Sequence, residues 1–169
     1  MPDVQRAADL HYEDLYRFAW SLAGQEADAR DLVQQTMMIY ATHGDSLRDA
    51  CKLKPWLFTT LHRAFLSQRR KLARFPSVPL DEFVEPAAEE QSAGADAVDT
   101  AKVMEALQSL AEPLRTPLTL FYLKDMKYRE IAEIIGVPLG TVMSRLARAK
   151  AALRAQLGVE AFSPTPNAI

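Results

Sequence analysis

The sequence is poor in cysteine, histidine and glycine, with one, three and six of them in 169 residues. A single cysteine, Cys51, excludes an internal disulfide bond and fits a reducing compartment. With no nucleophile signature around it, we expect this thiol to be packed. The histidines His11, His43 and His62 show no metal-type spacing to one another or to Cys51. The composition therefore predicts no metal site and no cofactor.

Long apolar runs are also lacking, since none approaches the roughly 20 residues that cross a bilayer. The first residues, MPDVQRAADLHYED, are polar and acidic and do not form a secretory signal. We therefore expect a cytoplasmic protein that makes no membrane contact. Hydrophobic residues make up 49% of the chain, which is enough for one domain, or two small ones, with buried cores.

Charge is distributed in two blocks of opposite sign, although the net charge is only -2. Acids are missing from residues 52–74, and Lys and Arg are missing from residues 75–100. The first block holds seven basic residues: Lys52, Lys54, Arg63, Arg69, Arg70, Lys71 and Arg74. The second holds seven acids and three prolines with little helical periodicity, which is typical of a tether between domains.

Residues 128–150, YREIAEIIGVPLGTVMSRLARAK, predict two helices around a tight turn. Gly136 suits the left-handed end of the first helix, and Pro138 suits the entry to the second. Thr141 is a candidate N-cap, although the helix could begin a residue or two earlier. An inward stripe follows at helical spacing, namely Val142, Leu146, Ala149 and Leu153, while Arg145, Arg148 and Lys150 lie off it. The pattern indicates a DNA-binding helix-turn-helix, and the simpler alternative is a helical hairpin with a solvated basic face.

Helical periodicity runs through the rest of the chain, with no sustained strand alternation. Helices are predicted from about Asp9 to Gly24, from Asp28 to before Gly44, over 55–71 and again from Thr100. We predict an all-α fold of two small helical domains, 1–74 and 101–157, the second containing the helix-turn-helix. An acidic flexible linker, 75–100, joins them, and a tail covers 158–169.

The predicted helix over 55–71, PWLFTTLHRAFLSQRRK, combines aromatic and basic residues. Basic residues at a helix C-terminus complement the macrodipole, and they also suit phosphate contacts. Seven of them within residues 52–74 exceed what capping requires. Trp56, Phe58 and Phe65 have the chemistry to stack on unpaired bases, but core packing is the better interpretation for at least two of them.

Together these features resemble the extracytoplasmic-function (ECF) sigma factors of bacterial RNA polymerase, over roughly residues 10–157. DARDLVQQTM (28–37) is similar to the family's core-binding helix, usually close to DAEDLVQETF. Residues 55–71 resemble the helix that melts and reads the -10 element, which is the loosest match. Residues 107–154 are similar throughout to the family's -35-reading domain, which is the most specific match.

The resemblance implies a non-enzymatic subunit that binds core RNA polymerase and promoter DNA, and that is commonly held inactive by an anti-sigma factor. It implies core-polymerase contacts at Asp28, Asp31, Leu32, Gln34 and Gln35, with Leu32, Val33 and Met37 split between core and interface. The implied -10 contacts are Trp56, Arg63, Ser67, Arg69, Arg70 and Lys71. The implied -35 contacts are Thr141, Ser144, Arg145, Arg148 and Lys150.

Three departures from the family pattern affect these expectations. Arg63 and Ser67 stand where the family often has an Asn and an Asp, so we expect a different -10 preference. Met143 stands where a Lys or Arg is frequent, which leaves more of the -35 contact to Arg145, Arg148 and Lys150. Gln35 replaces a frequent Glu.

Three other hypotheses remain open. A stand-alone helix-turn-helix regulator with a sensor or dimerisation domain would bind duplex DNA without polymerase, but it has no need of the helix over 55–71. Arg63 and Ser67 also leave a third hypothesis, a sigma-like protein that binds polymerase but has lost normal promoter opening. A DNA-processing enzyme is disfavoured because the sequence shows no nucleophile, base or metal constellation.

Overall fold

The structure, a computed structural model, describes residues 3–47, 49–74 and 95–157. Seven α-helices fill most of these ranges: α1 (Val4–Ala23), α2 (Glu26–His43), α3 (Leu53–Arg74), α4 (Ala95–Ser109), α5 (Glu112–Lys124), α6 (Tyr128–Ile135) and α7 (Leu139–Leu157). Short 3-10 turns, Gly44–Ser46 and Ala50–Lys52, connect α2 to α3. The all-α prediction is confirmed, and the described ranges contain no strand. The predicted tail and residues 75–94 of the predicted linker lie outside them.

Helices α1, α2 and α3 pack into one bundle. Its centre is fully buried and includes Leu15, Leu32 and Leu61, while Phe18 and Phe58 meet with ring centroids 5.3 Å apart. α1 begins earlier than predicted because Asp3 caps it: the Asp3 carboxylate accepts a hydrogen bond from the Arg6 backbone N–H at 2.9 Å.

Helices α4 to α7 form the second half, in which α6 and α7 are the predicted helix-turn-helix. Gly136 ends α6 in the left-handed conformation (φ 69°), as predicted. The inward stripe of α7 is confirmed, since Val142, Leu146, Ala149 and Leu153 are all buried. α7 begins at Leu139, so Thr141 lies inside the helix and does not cap it.

Two further expectations from the sequence differ from the structure. α4 begins at Ala95, so helix extends into the segment assigned to the linker; Ala95 and Ala97 favour helix strongly enough to start it before Thr100. Cys51 is exposed in the turn Ala50–Lys52 and is not packed, because that turn buries none of its residues. None of the helices in the described ranges is long and apolar enough to cross a membrane.

The two halves pack against each other. α1 contacts α4 and α5, and α3 contacts α6. Gln108 Nε2 of α4 donates to the backbone oxygens of Trp20 (2.9 Å) and Ser21 (3.3 Å) at the end of α1. The Trp20 oxygen also accepts the capping hydrogen bond from the Gly24 backbone N–H at 2.8 Å. Gln108 therefore adds a bond from the second half to carbonyls at the C-terminal end of α1.

Candidate polymerase and nucleic-acid interfaces

The solvent-facing side of α2 carries most of the predicted polymerase contacts. Asp28, Asp31, Gln34 and Gln35 are exposed. Met38, which is not among the predicted contacts, is 64% exposed and lies four residues after Gln34, on the same side. The side is therefore a polar, partly acidic surface with one large apolar side chain, Met38, beyond its last predicted contact.

Leu32 does not belong to this surface. It is fully buried with Val33, and Met37 is half-buried. The prediction that Leu32 contacts polymerase is corrected to a core role, because its position in the helical repeat points toward α1 and α3. Gln35 also contacts α3, since Gln68 Nε2 donates to Gln35 Oε1 at 3.4 Å.

One side of α3 brings together most of the predicted -10 residues. Trp56, Arg63, Ser67 and Arg70 follow one another at intervals of seven, four and three residues, so they share a side of the helix. Arg63, Arg70 and the neighbouring Lys71 are exposed, while Trp56 and Ser67 are half-buried. The arrangement is a basic strip that ends in an aromatic ring.

Arg69 lies apart from this strip. Its guanidinium sits 5.8 Å from the centroid of the Phe65 ring. Burial is the main cause of the lowered pKa of Arg115 in the second half of the protein, and the charge of Arg69 is a lesser one. The aromatic residues divide as expected. Phe58 and Phe65 are buried, and Trp56 is half-buried in an edge contact with Tyr40 at 5.7 Å between centroids.

The predicted -35 residues of α7 point in different directions. Ser144 and Arg148 are exposed, and the Ser144 hydroxyl donates to the Thr141 backbone oxygen at 3.1 Å. Thr141 is half-buried. Lys150 is also half-buried, with its Nζ 4.8 Å from the centroid of the Phe121 ring. Burial, and secondarily the charge of Arg154, lower the pKa of this ammonium group.

Arg145 faces the other half of the protein. It is half-buried and lines a cleft of about 200 Å³ between α3, α5 and the helix-turn-helix. The cleft is also lined by His62, Leu66, Glu112, Thr116 and Val137. The residues predicted to touch -10 and -35 DNA therefore sit on helices that share one cleft.

Sequence reasoning missed the pair that joins α3 to α5. His62 is buried, and its Nε2 lies 3.2 Å from Glu112 Oε1. The hydrogen bond with His62 lowers the pKa of the Glu112 carboxyl; burial opposes this shift, and a bond from the Thr116 hydroxyl (2.8 Å) reinforces it. The two residues are 50 positions apart, so no local pattern could have linked them.

Arg115 of α5 completes this contact between the halves. It is buried, and its Nη1 donates to the Gln108 backbone oxygen (3.2 Å) and to Gln108 Oε1 (3.0 Å). Burial lowers the pKa of its guanidinium, and the Glu112 carboxylate opposes that shift. Gln108 thus connects a buried arginine to the end of α1.

Both halves of the chain match known protein families. Residues 8–75 match Sigma-70 region 2, and residues 100–153 match Sigma-70, region 4. Over 153 residues the chain is 31% identical to the ECF RNA polymerase sigma factor SigM of Bacillus subtilis, covering 90% of this chain and 93% of the relative. It is 33% identical over 153 residues to the ECF RNA polymerase sigma factor EcfG of Rhodopseudomonas palustris, and this match covers 89% of this chain and 84% of the relative.

A solved structure shares the fold. It is the sigma factor RpoE of Bartonella quintana in complex with the anti-sigma factor NepR, with a TM-score of 0.79 and 31% sequence identity over 95% of this chain and 99% of that one. Similarity along nearly the whole chain, in both sequence and structure, leads to one conclusion: the chain belongs to the ECF RNA polymerase sigma factors, which direct RNA polymerase to promoters.

Proposed function

We propose that the three surfaces divide the work of a sigma factor. The exposed side of α2 binds core RNA polymerase, the basic strip of α3 holds the melted -10 element, and α7 reads the -35 element. In this proposal residues 1–74 and 101–157 are the two working domains, and residues 75–100 join them. The chain performs no bond chemistry of its own and acts in the cytoplasm.

The observation that carries the proposal is the basic strip of α3 on the same chain as a helix-turn-helix. Duplex recognition needs only the second half. A helix with exposed arginines, no acid and a half-buried tryptophan at its start suits a single strand, because cations hold the phosphates and a ring can stack on a base. This combination favours promoter opening over simple duplex binding.

Run-off transcription tests the proposal. Purified bacterial core polymerase is supplied with a library of promoter-like templates, with and without this protein. We expect specific transcripts only when the protein is present. Core binding without transcripts would indicate lost opening activity, and tight duplex binding without core binding would support the stand-alone regulator instead.

Substitutions then separate the surfaces. Arg63→Ala and Arg70→Ala should weaken binding of the melted -10 strand, each reducing the slope of log affinity against log salt by about one. Lys102→Ala removes a positive charge from an exposed site on α4 and serves as the matched control. Equal salt slopes in all three variants would contradict the role of the strip.

We also propose a protein inhibitor as a partner. The support is the similarity to the Bartonella sigma factor whose structure was determined with its anti-sigma factor. Affinity capture from the native host followed by mass spectrometry should recover a protein whose addition abolishes the run-off transcripts.

A further inference from the structure

The exposed surface of the first two turns of α7 is mainly apolar. Within residues 139–145 the large exposed side chains are Leu139 (39% exposed) and Met143 (53% exposed). They are four residues apart and therefore neighbours on one side of the helix. Gly140 lies beside them, and a Cβ added there would meet no atom within 4 Å. The two apolar side chains thus stand on an open surface.

Two polar residues of these turns, Ser144 and Arg145, have contacts of their own in the free protein. The Ser144 hydroxyl donates within its own helix, and Arg145 lines the cleft against α3 and α5. Arg148 is the first exposed basic residue of α7, a full turn beyond Ser144. Base edges that approach the first turn of α7 therefore meet Leu139 and Met143, and the first fully exposed cation lies further along the helix, at Arg148.

The major groove offers one apolar group to such a surface. Every base presents hydrogen-bonding atoms there, but only thymine adds a methyl group, at C5. The second helix of a helix-turn-helix contacts base edges with its N-terminal residues, which is where Leu139 and Met143 lie. α7 contains four basic residues and no acid, so its charge suits a DNA partner.

We propose that Leu139 and Met143 read thymine C5-methyl groups in the -35 element, so that apolar contact sets part of the promoter specificity. The inference rests on the proposed use of α7 for -35 reading. Arg148 then supplies position through phosphate contact, and the two apolar residues supply sequence information.

Deoxyuridine scanning tests this directly, because it removes the methyl group and keeps every hydrogen-bonding group of thymine. The holoenzyme is assembled with core polymerase, and its preferred -35 element is selected from a randomised library. Each thymine of that element, on both strands, is then replaced in turn. We expect about a four-fold loss of promoter affinity at one or two positions, as for one buried methyl group.

Single substitutions assign each methyl group to a residue. Met143→Ala should abolish the deoxyuridine effect at one thymine, and Leu139→Ala at a neighbouring one. Met143→Lys should replace the thymine preference with guanine, since lysine donates to guanine O6 and N7. Leu10→Ala, which removes a 62% exposed leucine from α1, should retain the full effect. All three sites are exposed, so folding should be unaffected.

The possible failures are distinguishable. Promoter-specific complexes that ignore every deoxyuridine, or that respond equally in wild type and in both alanine variants, overturn the methyl reading and leave the proposed function intact. A selected -35 element without thymine does the same. A holoenzyme that forms no promoter-specific complex overturns the proposed function, and the inference with it.

Discussion

At the residue scale, three glycines differ in what an alanine would cost. Gly24 and Gly136 have φ angles of 74° and 69°, which alanine adopts only with strain. Gly140 has no such constraint and lies in the first turn of α7. A Cβ at Gly24 would also come within 2.9 Å of Gln108 Oε1, whereas one at Gly136 or Gly140 would meet nothing within 4 Å.

The prediction is an order of stability. Gly140→Ala should be neutral or slightly stabilising, Gly136→Ala should cost about 1–2 kcal/mol from backbone strain, and Gly24→Ala should cost more because Gln108 must also move. Urea unfolding followed by circular dichroism gives the free energy of unfolding for each variant. A Gly136→Ala variant as stable as Gly140→Ala would contradict the left-handed cap.

Which residues could be predicted depended on how local their environment is. Gly136 and the inward stripe of α7 followed from the sequence because a helix end and a 3.6-residue repeat are local patterns. Leu32 was misjudged because the resemblance marks α2 as a binding helix without saying which residues face inward. Which residues of α2 face inward depends on how α1 and α3 pack against it.

At the element scale, α2 separates stability from binding on its two sides. Leu32 is fully buried, and Met38 is 64% exposed among the acidic and amide side chains of the opposite side. An exposed methionine can bury apolar area on a partner because its flexible thioether adapts to irregular surfaces. Substitutions in this one helix can therefore test stability and polymerase binding separately.

We predict that Leu32→Ala lowers the free energy of unfolding by about 2–4 kcal/mol. Met38→Ala should leave it unchanged and weaken binding of core polymerase several-fold. Chemical denaturation measures the first, and fluorescence anisotropy titration with core polymerase measures the second. Leu10→Ala, which removes a 62% exposed leucine from α1, is the control. Unchanged polymerase affinity in the Met38 variant would remove Met38 from the interface.

The helix starts were the least predictable feature at this scale. α1 extends back to Val4 because a single carboxylate, that of Asp3, caps it, and the apolar stripe alone gives no sign of this. α4 extends back to Ala95 through residues whose acidity and neighbouring prolines indicated a tether. In both cases the apolar periodicity located the helix but not its first residue.

At the scale of the whole molecule, the contact between the halves could not be predicted from sequence. It depends on Gln108 reaching residues 87 and 88 positions away and on His62 reaching Glu112. Such pairs have no sequence spacing in common. Only the folded arrangement shows that the predicted -10 helix and the predicted -35 domain meet.

The His62–Glu112 pair predicts how stability depends on pH. The pKa of Glu112 is held below its ordinary value of 4.5, chiefly by the hydrogen bond with His62. A carboxyl group with a depressed folded-state pKa stabilises the fold above its unfolded pKa, and that contribution is lost as pH falls through the folded pKa. Wild type should therefore lose more stability than Glu112→Gln as pH drops below 4.5. Parallel losses in thermal melts of the two proteins would contradict the pair.

The close approach of the two halves conflicts with simultaneous contact to both promoter elements. Helices that pack, as α3 and α6 do, have axes about 8–10 Å apart. Elements named for positions -10 and -35 are about 25 base pairs apart, which is about 85 Å at 3.4 Å per base pair. Because α6 is joined to α7 by a tight turn, α3 and α7 cannot reach both elements until the halves separate.

We therefore predict that polymerase and promoter binding open the contact between the halves. Spin labels at Leu10→Cys on α1 and Ala155→Cys on α7, in a Cys51→Ser background, should report a longer distance in the promoter complex than in the free protein. His62→Glu places a second carboxylate against Glu112, and like charges at this separation repel, so this variant should lengthen the distance without polymerase. Combining it with Glu112→His restores a histidine–glutamate hydrogen-bonding pair and should shorten the distance again, whereas Glu105→Arg, at an exposed site on α4, should have no effect. An unchanged label distance in a transcribing complex would show that the halves stay together, and the two promoter elements would then have to be brought to them by bending of the DNA.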